Sequence, residues 1–129
     1  MGRILVVDDD PFVRKFLRVA LERAGHIVRE AAEGRAAMLD YQEWLPAGVI
    51  MDLVMPGQEG VETIMQMRRH AHRAFIIATS GLVDSRAKLY LQMAKDLGAD
   101  EILEKPFTVE RLMQLITARI PGGKSRPES

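Results

Sequence analysis

The sequence predicts an α/β fold in which a doubly wound, five-stranded parallel sheet carries five helices. Short runs, most of them aliphatic, alternate five times with longer segments whose apolar residues recur at helical spacing. Several of the short runs are apolar at every position, as in strands that are buried on both faces of a parallel sheet. The connections are short, so right-handed crossovers should place helices on both faces of the sheet.

The first strand and the first helix have the clearest signals. Ile4 to Val7 is a continuous aliphatic run that ends in an acidic loop. A helix should follow, with Asp10 as its N-cap, Pro11 at its first position and Gly25 beyond its end. The apolar residues at helical spacing in this segment are Phe12, Val13, Phe16, Leu17, Ala20, Leu21 and Ala24.

The next three elements repeat this alternation with weaker signals. His26 to Ala31 is short and mixed with charge, which is typical of an edge strand. Arg35 to Trp44 should form a helix that stops before Pro46. Val49 to Met51 is again a buried run, and it ends at Asp52.

The middle of the chain contains a loop, a helix and the fourth strand. A loop with Gly and Pro residues runs from Leu53 to Gly60, and a helix follows from about Val61 to His70. Ala74 to Ala78 is the fourth strand and leads into Thr79-Ser80-Gly81. Hydroxyl groups are therefore expected at the end of this strand.

The last part of the chain predicts two helices around a short strand. Leu89, Met93 and Leu97 lie on one stripe of a helix that closes at Gly98, and Glu101 to Glu104 is the fifth strand. The last helix should be capped by Thr108, and its apolar residues are Val109, Leu112, Met113 and Ile116. We expect residues 1–120 to form one domain and residues 121–129 to be a polar tail or the stub of a linker.

Composition excludes several classes of function. The 129 residues include 18 basic and 18 acidic side chains, so the chain has no net positive charge that would attract nucleic acid or an anionic membrane surface. No window approaches the roughly 20 apolar residues of a membrane-spanning helix, and we expect a soluble, cytoplasmic protein without a membrane partner. The absence of cysteine excludes disulfides, thiolate metal sites and cysteine nucleophiles.

A basic run from Arg68 to Arg73 could suggest a nucleic-acid patch, but no aromatic residue is interleaved with it. Cations at this point are better explained as partners of a helix C-terminus. His70 and His72 make a poor metal pair, because residues two apart on a helix point to different faces. We therefore expect no direct contact with nucleic acid.

Polar side chains follow four of the predicted strands at the point where each strand ends. Asp8 and Asp9 follow the first strand, Asp52 the third, Ser80 the fourth and Lys105 the fifth. The carboxyl ends of parallel strands meet along one edge of the sheet, so these groups should lie close together. Three adjacent carboxylates repel one another unless a cation intervenes, and hard oxygen ligands select Mg²⁺ or a similar divalent ion such as Mn²⁺.

This group of residues suits phosphoryl transfer. With Asp8 and Asp9 holding the metal, Asp52 is the best candidate for a carboxylate that attacks phosphorus, because it is isolated among apolar residues. Lys105 supplies a cation and Ser80 a hydroxyl group for the oxygens of the transferring phosphoryl group. Acidic residues in loops often only cap helices, but capping does not explain complementary groups at four strand ends.

Four segments resemble the signature segments of the receiver domain of response regulators, the CheY-like domain of two-component signalling. They are Leu5–Asp10, Met51–Gly57, Ser80–Gly81 and Lys105–Phe107, in the order of that family. The resemblance extends from Ile4 to about Ile120 and implies the flavodoxin-like strand order 2-1-3-4-5. It also implies a phosphorelay signalling module that catalyses only its own phosphorylation and slow dephosphorylation.

The resemblance assigns a role to each residue of the predicted site. Asp52 would accept the phosphoryl group, and Asp9, Asp52 and the backbone carbonyl of Val54 would contact Mg²⁺, with Asp8 acting through water. Lys105 would pair with the phosphoryl group, and the Lys105–Pro106 peptide is expected to be cis. Ser80 would move toward the phosphoryl group, while the adjacent Thr79 should point elsewhere, since successive strand residues face opposite ways.

Two departures from the family pattern concern the conformational switch and the lifetime of the phosphoryl group. Ile102 stands where many receivers carry a Tyr or Phe that rotates inward, so coupling to the fourth helix, fifth strand and fifth helix would either be lost or run through the packing of Ile102 instead. Val54 and Leu82 lie two residues after Asp52 and Ser80 on the expected path of attacking water, and both are apolar. We therefore expect slow loss of the phosphoryl group.

The resemblance implies a histidine kinase or phosphotransfer protein as the donor and a downstream protein as the target. A phosphorylation-dependent homodimer through the fourth helix, fifth strand and fifth helix is a further alternative. The chain could also be the N-terminal receiver of a longer regulator with a DNA-binding or enzymatic output domain. One weaker alternative is a metal-dependent phosphohydrolase, although Phe12 breaks the sequence pattern of those enzymes. Another is an interaction module that is never phosphorylated.

Overall fold

The described residues of the computed structural model, 2–53, 59–81 and 85–121, form five parallel strands and five helices. The strands are β1 (Arg3–Val7), β2 (Ile27–Ala31), β3 (Gly48–Asp52), β4 (Phe75–Ser80) and β5 (Glu101–Glu104). The helices are α1 (Pro11–Arg23), α2 (Gly34–Trp44), α3 (Glu59–Arg69), α4 (Ser85–Leu97) and α5 (Val109–Arg119). The strand order is β2-β1-β3-β4-β5, and every neighbouring pair is parallel, as predicted.

The sheet separates two apolar cores, because successive strand residues point to opposite faces. On β1, Leu5 and Val7 belong to the core that also contains residues of α2, α3 and α4, such as Tyr41 and Leu91. Residues on the other face of β1 belong to the second core, with apolar residues of α1 and α5. This two-sided burial confirms the doubly wound architecture and explains why the strand runs are apolar at successive positions.

The helix ends follow the predicted local signals. The Asp10 side chain accepts a hydrogen bond of 2.9 Å from the backbone N–H of Phe12. The Thr108 hydroxyl accepts one of 3.0 Å from the backbone N–H of Arg111. Gly98 has a φ of 139°, a conformation that favours glycine at a helix end. The loop geometry at these positions is therefore determined by the local sequence.

Several boundaries differ slightly from the sequence-based expectation. β2 begins at Ile27 rather than at His26, and α3 begins at Glu59, inside the predicted loop. β4 continues through Ser80, so Thr79 and Ser80 are its last residues rather than residues that follow it. The longer β4 is explained by the sheet register, in which Thr79 pairs with Asp52 of β3 and Ser80 pairs with Glu104 of β5.

The apolar stripes of two helices do not all face the core. In α1, Phe12 and Phe16 are 77% and 54% exposed, whereas Leu17 and Leu21 are buried. In α4, the stripe of Leu89, Met93 and Leu97 is exposed, whereas Leu91 and Ala94 are buried. Helical spacing places residues on a common face, but the packing of each helix against the sheet decides which face is buried.

No described helix is long and apolar enough to span a membrane.

Candidate functional site

The carboxyl edge of the sheet brings together the residues that the sequence predicted for the site. Asp8 follows β1, Asp52 ends β3 and Ser80 ends β4. Lys105 follows β5, and its backbone N–H donates a 2.8 Å hydrogen bond to the carbonyl of Ser80. Because these strands occupy neighbouring positions in the sheet, residues far apart in the chain converge on one edge.

The three predicted carboxylates form one cluster. One oxygen from each of Asp8, Asp9 and Asp52 lies within 4.8 Å of the other two. Asp8 and Asp52 are buried, whereas Asp9 is exposed to solvent. The donors are all hard oxygen atoms, and two of them are withdrawn from water, so the cluster fits Mg²⁺ or Mn²⁺. The exposed side leaves a path by which an ion can reach it.

Lys105 connects this cluster to β5. Its Nζ lies 2.9 Å from Oδ2 of Asp8 and 3.8 Å from Oδ2 of Asp52. The other oxygen of Asp8, Oδ1, accepts a 2.9 Å hydrogen bond from the backbone N–H of Asp10. Both oxygens of Asp8 are therefore engaged within the protein, and Lys105 partly compensates the charge of two buried carboxylates.

Arg14 of α1 supports the site and was not identified from the sequence. Its Nη1 donates a 2.7 Å hydrogen bond to the backbone carbonyl of Asp8, which belongs to the peptide that joins Asp8 to Asp9. Its Nε forms a 3.1 Å ion pair with Glu30 of β2. A basic residue in the first turn of a helix that follows an acidic loop was the signal that could have revealed it.

Gly60, near the start of α3, also supports the site, although the sequence indicated only a loop residue. A Cβ at this position would lie 2.6 Å from the backbone oxygen of Asp52 and 2.8 Å from Cα of Leu53. These neighbours are backbone atoms and cannot rotate away. The absence of a side chain therefore lets α3 pack directly against the end of β3.

The hydroxyl residues Thr79 and Ser80 are both buried at the end of β4. In the sheet register Thr79 pairs with Asp52, and Ser80 pairs with Glu104. The next residue, Gly81, lies beside the aliphatic part of Lys105, since a Cβ there would be 3.6 Å from Cδ of that lysine. The end of β4 is thus in contact with the residue that pairs with the aspartates.

The remaining predicted positions are less directly connected to the carboxylates. Ile102 is partly buried, pairs with Ala78 across the sheet, and packs against the core shared with α2, α3 and α4. Val54 and Leu82 lie outside the described residues. The Lys105–Pro106 peptide is cis, as predicted.

The model of the response regulator receiver domain family matches residues 4–117. This chain belongs to that family. It is therefore a receiver domain of two-component signalling, a family of signalling modules rather than classical enzymes.

The chain is similar both to a curated protein of about its own length and to a longer one. It is 33% identical over 115 residues to the chemotaxis protein CheY of Halobacterium salinarum, and the match covers 89% of this chain and 93% of that protein. It is 30% identical over 138 residues to the DNA-binding dual master transcriptional regulator RpaA of Synechocystis sp., and the match covers 99% of this chain. The chain spans only 55% of the length of RpaA.

A solved structure supports the same fold. The signal receiver domain of a response regulator from Bermanella marisrubri superimposes with a TM-score of 0.83 at 35% identity, and the match covers 92% of this chain and 97% of that chain. The receiver fold thus extends over almost the whole of this chain.

Proposed function

We propose that Asp52 accepts a phosphoryl group from the histidine of a kinase or phosphotransfer protein in a Mg²⁺-dependent reaction. The observation that carries this proposal is the cluster of Asp8, Asp9 and Asp52, with Lys105 in contact with two of its members. The proposed receiver unit is residues 1–120, followed by a tail or linker at 121–129, and its proposed compartment is the cytoplasm.

Each residue of the cluster has a separate proposed task. Asp9 and Asp52 would hold the ion together with the carbonyl of Val54, and Asp8 would act through water because both its oxygens already have protein partners. The bound ion would supply charge neutralisation between the nucleophile and the phosphoryl oxygens. An oxygen of Asp52 forms a bond to phosphorus while the bond from phosphorus to the donor's imidazole nitrogen breaks, and the electron pair of that bond leaves with the imidazole.

Lys105 is the residue whose partner would change on phosphorylation. In the unphosphorylated protein its Nζ is closer to Asp8 than to Asp52. A phosphoryl group on Asp52 adds charged oxygens that compete for this ammonium group and for the hydroxyl of Ser80. The backbone hydrogen bond from Lys105 to Ser80 already joins the ends of β4 and β5, so a movement of one strand end would be transmitted to the other.

We infer that the changed face is formed by α4, β5 and α5. Leu89, Met93 and Leu97 give α4 an exposed apolar stripe, and Ile102 of β5 packs against the core that includes buried residues of α4. A downstream protein is the proposed partner for this face, and a phosphorylation-dependent homodimer is the alternative. Slow dephosphorylation is proposed because Val54 and Leu82 offer no polar group to attacking water.

The face of α1 beside the site is the proposed docking surface for the phosphoryl donor. Phe12, Phe16 and Val19 are exposed and line one groove with Val109 at the start of α5. Phe12 lies only two residues after the N-cap Asp10, which directly follows the carboxylates Asp8 and Asp9. An apolar helix face this close to the nucleophile can hold a donor protein while its histidine reaches Asp52.

The first test is the intact mass after incubation with Mg²⁺ and acetyl phosphate. We expect a gain of one phosphoryl group in the wild type, no gain when EDTA replaces Mg²⁺, and no gain in Asp52→Asn. No gain in the wild type under any condition would instead favour an interaction module that is never phosphorylated.

The second test separates donor docking from the chemistry at Asp52. We expect Phe16→Ser to slow transfer from the cognate kinase at least fivefold while the rate with acetyl phosphate stays unchanged. Leu39→Ser is the matched control, because Leu39 is similarly exposed but lies on α2. Equal slowing with both donors would mean that Phe16 acts on the site itself and would refute the docking surface.

A further inference from the structure

A second cleft lies at the edge of the sheet opposite the aspartates. Gly2, Ala47 and Ala74, which immediately precede β1, β3 and β4, line this cleft together with Ile120 and Pro121 after α5. Its volume of about 770 Å³ is within the range of small-molecule sites, roughly 300–1,000 Å³. None of the described residues of the proposed phosphorylation site contributes to it.

The charges that line the cleft are mostly positive. Arg68, Arg73 and Arg119 line it, and the only acidic lining residue among those described is Asp100. His72 also lines the cleft, and its Nε2 lies 2.6 Å from the backbone oxygen of Pro46, which makes that nitrogen a hydrogen-bond donor. Among the described lining residues, the three arginines and one aspartate leave two positive charges in excess.

One of these arginines has a structural task. The Nη2 of Arg68 forms a 2.7 Å ion pair with Asp100, and its Nε and Nη1 donate to the carbonyls of Gly98 and Ala74 at 2.7 and 2.8 Å. Asp100 in turn accepts a hydrogen bond from the backbone N–H of Ile76. Arg68 and Asp100 therefore neutralise each other and join the ends of α3 and α4 to the start of β4.

The other two arginines have no such partner within the part of the chain that the structure describes. Arg73 and Arg119 are both exposed and form no ion pair with a described carboxylate. The guanidinium carbon of Arg119 lies over the ring of Phe75, 4.5 Å from the ring centroid. A cation–π contact with a ring uses no hydrogen-bond acceptor, so the N–H groups of Arg119 that do not point at the ring can donate to a ligand.

We propose that this cleft binds the phosphate group of a small phosphorylated molecule, which accepts hydrogen bonds from the guanidinium groups of Arg73 and Arg119. Planar guanidinium groups match the paired oxygens of a phosphate, and one of the two is already held in place by an aromatic ring. The apolar lining residues Ala47, Ala74 and Ile120 can contact the uncharged part of a ligand such as a nucleotide. This site is independent of the phosphorylation proposed at Asp52.

The test is calorimetric titration of the full chain with ATP, pyrophosphate and adenosine in the presence of EDTA, so that no metal ion is bound at the carboxyl edge. We expect ATP and pyrophosphate to bind the wild type with dissociation constants below about 1 mM. We expect adenosine alone to bind at least tenfold more weakly. In Arg73→Gln/Arg119→Gln, the affinity for ATP should fall about tenfold or more, since two charge-assisted contacts are lost.

Arg69→Gln is the matched control, because Arg69 is an exposed arginine of the same basic run that does not line the cleft. Its affinity for ATP should stay within twofold of the wild type, and backbone amide resonances should shift at Ala74 and Ile120 rather than at Asp52. No binding of either phosphate compound to the wild type would overturn the proposal. If Arg69→Gln weakened binding as much per removed charge as the double variant does, the proposal would be overturned as well, because the effect would then be one of overall charge.

Discussion

Removing the hydroxyl group of Tyr41 should destabilise the domain although the side chain keeps almost the same shape. Tyr41 lies on α2 and is fully buried. Its hydroxyl donates a 2.7 Å hydrogen bond to the carbonyl of His72 and accepts a 3.2 Å hydrogen bond from the backbone N–H of Ala74. In Tyr41→Phe, both backbone groups lose their partner in the segment that leads into β4.

The expected loss of stability follows from the burial of these two backbone groups. Leaving a buried donor or acceptor without a partner costs about 1–3 kcal/mol. Ala74 is buried, so its N–H should carry most of this cost, whereas His72 is partly exposed and its carbonyl can turn toward water. We therefore expect the free energy of unfolding to fall by about 2–3 kcal/mol, close to the cost of one fully buried group.

Urea denaturation followed by far-UV circular dichroism measures this change. The midpoint should decrease while the m-value stays constant, because the native structure exposes no additional surface. Leu39→Ala is the control on the same helix, since Leu39 is 56% exposed and should change stability by less than about 0.5 kcal/mol. A destabilisation of Tyr41→Phe no larger than that of this control would refute the assignment of both hydrogen bonds.

Two further predictions concern pH and metal binding. Burial lowers the pKa of His26, whose Nδ1 has no hydrogen-bond partner among the described residues, so the unfolded chain binds a proton more readily than the folded one. The stability contributed by the uncharged His26 should therefore be retained above about pH 6.5 and lost as the pH falls below it. Urea titrations between pH 7 and 5 should show a smaller loss of stability in His26→Gln than in the wild type. Arg14→Gln should weaken Mg²⁺ binding about tenfold, because the carbonyl of Asp8 loses its donor, and calorimetric titration with Mg²⁺ measures this. Arg18→Gln, which also removes a partner of Glu30 but makes no contact with Asp8, should weaken it much less; equal losses would argue against a role in positioning.

Local sequence was sufficient for most of the secondary structure. The apolar runs of β1, β3 and β4 identified buried strands, and Asp10 and Thr108 cap the helices that their positions predicted. These signals depend on neighbours within a few residues, so they can be recognised without knowledge of the fold. The ends of β2 and β4 were less certain, because they depend on hydrogen bonds to strands that are distant in the chain.

The orientation of the helices could not be predicted in the same way. Both α1 and α4 carry more apolar residues than the core accommodates, and the sequence pattern does not distinguish Leu89 and Met93 from the buried Leu91. The exposed residues became recognisable as surfaces only when the contacts with the sheet were known. The structure also showed that Arg68 holds chain segments together, whereas Arg73 from the same basic run forms no ion pair with a described carboxylate.

The sequence by itself determined the fold class, the strand order implied by the family and the identity of the residues at the carboxyl edge. The fold class follows from the alternation of apolar runs with helical spacing, and the site residues follow from residue types at strand ends, which a parallel sheet necessarily brings to one side. Only the tertiary structure decided how those residues contact each other: that Lys105 pairs more closely with Asp8 than with Asp52, and that Arg14 holds the peptide between the first two aspartates. Such contacts join residues up to 97 positions apart, and their distances depend on the packing of the whole domain.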